Sequence, residues 1–166
     1  MSGVAAAPPP PPPPLRTRLT PRLPVDLRLT LGPLWRGPRD PSMRLGDGEV
    51  WRATRTPLGA ATLHLRHTAG GLEAEAWGPG AAWALDGAAA LAGQLDDDAG
   101  FRPAGGLVAA LRHRLPGLRL PRTGGVLEPL VATVVEQRVS GKEARSGHAA
   151  LFRRWLNLDR KSDRKG

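Results

Sequence analysis

An α+β fold is predicted for this chain: an antiparallel sheet with a covering helix, followed by an incomplete all-α segment. Three features predict it. Between Glu49 and Ala76, short runs alternate apolar and polar residues and are parted by turn signals. From Pro79 onward, apolar residues instead recur three and four apart. Strands in one block and helices in the next make an α+β layer, whereas alternating units would make a parallel sheet.

Residues 1–24 are of low complexity, with an unbroken proline run from Pro8 to Pro14. Such a run favours an extended polyproline conformation, and the stretch is expected to be a disordered tail. Val25, Leu27, Leu29 and Leu31 alternate with Asp26, Arg28 and Thr30, which predicts a half-buried strand. Gly32 to Pro41 is a Gly- and Pro-rich loop around Trp35, and Met43 to Leu45 reads as a short strand. Asp47-Gly48 is a hairpin turn signal. Two strands follow, Glu49 to Thr56 and Ala60 to His67, joined at Pro57-Leu58-Gly59. Gly70-Gly71 turns the chain into a further alternation at Leu72, Ala74 and Ala76. Pro79 then opens a helix reaching Leu95, with Ala84, Ala88, Leu91 and Leu95 on one face. The α+β module thus covers residues 25–98. Asp96 to Asp98 reads as a solvated boundary loop, because a metal site needs ligands converging from several elements.

Residues 104–156 form the helical segment. Leu107, Leu111 and Leu115 mark one helix, with Arg112, His113 and Arg114 in its last turn and Pro116 ending it. From Val126 to Val139 the apolar positions are Val126, Leu127, Leu130, Val131, Val134, Val135 and Val139, one broad helical face. Pro129 falls in the first turn, where N–H groups lack internal partners. Ser140-Gly141-Lys142-Glu143 has capping-box spacing and starts another helix. Its apolar stripe is Ala144, His148, Leu151, Phe152 and Trp155, with Arg145, Arg153 and Arg154 mostly off it. The corner at Gln137-Arg138-Val139-Ser140 is polar at its tip and can present Gln137 and Arg138 to a partner; the plainer reading is an ordinary surface corner. Trp35 and Trp51 are expected in the core, and residues 157–166 form a basic tail.

Composition removes several chemistries. With no cysteine in 166 residues, disulfides, thiolate catalysis, iron–sulfur clusters and Cys-based zinc sites are excluded. Neither a run of some 18 apolar residues nor a secretory signal pattern occurs, so no membrane span is expected and a cytoplasmic location is. The histidines show no metal-ligand spacing, and neither GxxxxGK[ST] nor GxSxG occurs; no metal, no cofactor and no self-evident catalytic set is expected. Net charge is +9, and all of the excess lies after residue 100. A basic helical segment beside a neutral domain is an electrostatic footprint for nucleic acid, or else a solvated basic face without a partner.

The stretch Pro116-Gly117-Leu118-Arg119-Leu120-Pro121, the apolar helix running into Gln137-x-Val139-Ser140, and Ala144 resemble the alkylbase DNA glycosylases. These are the 3-methyladenine DNA glycosylase II type of the helix-hairpin-helix superfamily. The resemblance spans Val25 to Trp155. It implies an N-terminal domain similar to a TATA-binding-protein half. It implies a base-excision-repair reaction on double-stranded DNA containing alkylated bases, with hydrolysis of the N-glycosidic bond of a flipped-out base. It implies that Gln137, Arg138, Val139 and Ser140 bind DNA, with Arg138 at the wedge that fills the gap left by the flipped base. The family carries an apolar residue there, although a guanidinium plane can also stack. No residue of this chain matches the family's catalytic aspartate or its helix-hairpin-helix. The expectation is therefore a truncated form, inactive alone, associated with the nucleoid in a bacterium. The alternatives are a non-catalytic DNA-binding or accessory module, and a fragment without function.

Overall fold

The computed structural model describes residues 13–138 and 141–155, and bears out the α+β class. Five antiparallel strands form one sheet in the order β1-β5-β4-β3-β2: β1 (Leu15–Leu19), β2 (Met43–Leu45), β3 (Glu49–Thr56), β4 (Gly59–Thr68) and β5 (Gly71–Trp77). Helices α1 (Leu27–Leu31), α2 (Ala81–Asp86) and α3 (Ala88–Leu91) contribute buried residues to the same core as one sheet face. Strand alternation decides that face. Val50 of β3 lies opposite Leu65 of β4, which lies opposite Ala74 of β5, and all three are buried.

Three expectations about elements are corrected. The disordered tail was to cover residues 1–24, yet Leu15–Leu19 is an edge strand, in register with β5 from Leu15↔Ala76 to Leu19↔Leu72. Leu15, Thr17 and Leu19 alternate with Arg16 and Arg18, a signal overshadowed by the adjacent proline run. The expected strand Val25–Leu31 is helical from Leu27. The Asp26 carboxylate accepts from the Leu29 N–H at 2.9 Å, and that N-cap decides between two readings of a short apolar run. Leu27, Thr30 and Leu31 are buried, a helical spacing, while Leu29 faces out. Finally, the single helix expected from Pro79 to Leu95 is broken at Gly87 into α2 and α3. The chain leaves α3 through Gly93 at φ +66°, so Leu95 is exposed.

The opposite sheet face is polar and aromatic. Trp51 belongs there, contrary to its expected core position: it stacks on His64 at 4.0 Å between ring centroids and on Trp77 at 5.5 Å. Glu49 and Glu75 flank the His64 ring, and Arg16 reaches Glu75 at 2.7 Å. Trp35 does pack against the core.

The segment Leu115 to Pro121 is bolted into this module. The Gly117 carbonyl accepts from the Asp26 N–H at 2.8 Å and from the Thr30 hydroxyl at 3.2 Å. The Arg119 N–H donates to that same hydroxyl at 3.1 Å, and Arg119 Nε donates to the Pro24 carbonyl at 2.8 Å. The acidic run, expected to be a solvated loop, instead holds this segment: Asp96 accepts the Leu120 N–H at 2.9 Å, and Asp98 pairs with Arg119 at 3.2 Å. Gly117 fits because it lacks a side chain; a Cβ would lie 2.7 Å from the Asp26 nitrogen. Gly117→Ala is therefore expected to cost about 1–3 kcal/mol by overpacking against backbone. That is a fall of roughly 2–12 °C in Tm, measured by thermal unfolding. An unchanged Tm would mean that the joint yields freely.

Candidate nucleic-acid interface

Beyond the joint lie three helices: α4 (Gly106–Arg114) before it in sequence, and α5 (Leu127–Arg138) and α6 (Gly141–Trp155) after it. All three were expected. Helix α4 buries no residue; Leu107 and Val108 stay exposed, and it is held near the module through Arg112, which meets Asp98 at 3.4 Å. The basic last turn suits the negative end of the helix dipole.

Helix α5 meets the module through polar groups more than through its apolar face. Arg52 sits on the core side of β3 with only 6% of its side chain exposed. Glu128, in the first turn of α5, pairs with it at 2.9 Å and accepts from the Thr54 hydroxyl at 2.7 Å. In the last turn of α5, Glu136 pairs with Arg36 at 2.8 Å. Between them Ala132 is buried, whereas Leu127, Leu130 and Val134 of the expected apolar face are exposed. Helix α6 is the better amphipath: Ala144, His148 and Phe152 of its expected stripe are buried, Leu151 is exposed, and Arg145, Arg153 and Arg154 face solvent as expected. An apolar cleft of about 160 Å³ remains between Leu127 and Val131 of α5 and Leu151 and Phe152 of α6.

The described part of the predicted site lies at the end of α5. Gln137 is exposed in the last turn of α5, and Arg138 ends that helix. The Arg138 side chain, Val139 and Ser140 lie outside the described residues, and with them the expected capping box. Across the corner, a groove of about 580 Å³ runs between the Trp35–Pro38 loop and the start of α6, lined by Arg36, Glu136, Ala144 and Arg145. Arg145, Arg153 and Arg154 form no ion pair among the described residues, which leaves the outward side of α6 positive.

Sequence reading missed the docking residues Arg36, Arg52 and Thr54. A signal for one of them was present: in Val50-Trp51-Arg52-Ala53-Thr54, the arginine shares its parity with Val50 on the core side. A cation there requires a carboxylate from another element. His148 was read as part of an apolar stripe, and burial bears that out. Burial also holds its imidazole below the ordinary value of 6.5, against the raising pull of Asp40, Glu136 and Glu128.

Among the described residues no helix is long and apolar enough to cross a membrane. No protein-family model matches the sequence, and no curated protein matches it.

Proposed function

We propose that this chain is the duplex-DNA-engaging portion of a DNA-3-methyladenine glycosylase II-like protein of base excision repair, meeting double-stranded DNA with the corner between α5 and α6. The observation that carries the reading is a coincidence of place. The residues bearing the resemblance, Pro116 to Pro121 and Val131 to Ser140, include Gly117 and Arg119, which tie the joint to the sheet module, and Glu136, which pairs with Arg36 of the module, and among them Gln137 is exposed. The exposed Gln137 and the positive side of α6 then supply polar and cationic contacts for phosphates, which dominate affinity for duplex DNA.

Chemistry is a separate matter. Cleaving an N-glycosidic bond requires a carboxylate beside the developing sugar cation. Glu136, a close sequence neighbour of the corner, is occupied by Arg36. The 166-residue polypeptide by itself is therefore expected to bind alkylated duplex and release no base. Incubation with methylated DNA followed by chromatography of the freed purines tests this. Enzyme-dependent release of 3-methyladenine would overturn the non-catalytic part of the proposal. Absence of duplex binding at low salt would overturn the rest. The position of Glu136 favours a second reading, a non-catalytic DNA-binding or accessory module, which shares the same interface.

A further inference from the structure

His148 is a titratable group buried in the docked helix pair. Its side chain is buried at 4% residual exposure, on the side of α6 turned toward the module. Phe152 covers one ring face at 4.0 Å between centroids. Its Nδ1 has no hydrogen-bond partner among the described residues. Beside it is a cavity of only about 20 Å³, bordered by Ser42, Arg52, Glu128 and Phe152. That is room for about one water molecule.

We propose that His148 is a proton-sensitive latch: the α5–α6 pair docks on the sheet module while the imidazole is neutral, and acidification releases the pair without unfolding the sheet. The groups facing it on every side are Arg36 and Asp40 from the loop before β2, Arg52 from β3, and Glu128 and Glu136 from α5. Every carboxylate among them is engaged. Asp40 accepts from the backbone N–H groups of Arg36 and Ser42 and from the Ser42 hydroxyl. Glu128 holds Arg52 and Thr54, and Glu136 holds Arg36. A proton on His148 thus adds a buried cation beside Arg36, where the nearby carboxylates already hold other donors and there is space for little hydration. The linkage sign agrees. With the folded-state value depressed, docking stability is intact above 6.5 and is lost as pH falls below it. The sheet module survives because its core, from Leu27 to Ala92, draws nothing from α5 or α6.

Hydrogen exchange of the full chain, at about pH 7.5 and about pH 5 and corrected for intrinsic rates, tests the latch. The expected result is a loss of protection in α5 and α6 of about tenfold or more, with β3 to β5 unchanged, and abolition of that difference in His148→Phe. Protection of α5 and α6 that does not respond to pH would overturn the proposal, as would a response that persists in the variant. Should the variant fail to fold, the wild-type chain still decides: the His148 imidazole resonance is expected to titrate below 6.5, together with the amides of α5. An imidazole that stays neutral while α5 is released, or is protonated while α5 stays docked, would equally overturn it.

Discussion

Glu128→Ala is expected to destabilise the protein by about 3–5 kcal/mol, because it strands Arg52 as a buried charge without a partner. Arg52 is 6% exposed, its cross-strand partners Met43 and Leu63 are buried apolar residues, and its described anionic partner comes from α5. Thr54 loses its acceptor in the same substitution. The cost arises from the residue left behind. Replacing both partners together, as Arg52→Met with Glu128→Leu, is therefore expected to recover most of the loss, since burying an ion pair already carries a large desolvation penalty. Denaturant unfolding of the single and double variants measures the difference. A single variant within about 1 kcal/mol of wild type would show that water already reaches Arg52, as in an exposed pair.

Replacing Arg145, Arg153 and Arg154 together by glutamine is expected to weaken duplex binding by roughly ten- to a hundredfold at low salt. The slope of log affinity against log salt should fall by about one for each residue that contacts a phosphate. These side chains are exposed and form no ion pair among the described residues, so their removal should leave stability nearly unchanged. Arg112 and Arg119 make the internal control. Both are committed to Asp98, and Arg119 also ties the joint. Neutralising Arg119 is expected to lower stability while altering the salt slope little. Fluorescence anisotropy over a salt series, alongside thermal melts, separates the two groups. Equal effects of both on the slope would disperse the binding surface over the whole basic third.

The antiparallel sheet was legible in the sequence from β2 to β5 because its turns and alternation speak locally. β1 was not, because an edge strand is defined by the partner it finds, and its partner β5 lies more than fifty residues away. The region around Val25–Leu31 shows the limit of periodicity: seven residues fit both a period of two and a helical turn, and Asp26 as N-cap decided between them. The helix pair was visible in outline. What held it in place was not, since Arg52, Thr54, Glu128, Arg36 and Glu136 meet only in three dimensions. The apolar pattern of α5 pointed to a buried face that the described residues leave largely open, and the polar residues beside it make the dock. At the predicted corner, Gln137 is placed on the surface as expected, while Val139 and Ser140 fall outside the described residues.

The most direct test of the DNA-binding reading is an amide chemical-shift titration of the labelled chain with a short duplex at low salt. The largest shifts are expected at Gln137, Arg138 and the first turns of α6, with β3 to β5 silent. Shifts gathered instead on the outer sheet face around Trp51, His64 and Trp77, or none at all, would contradict it.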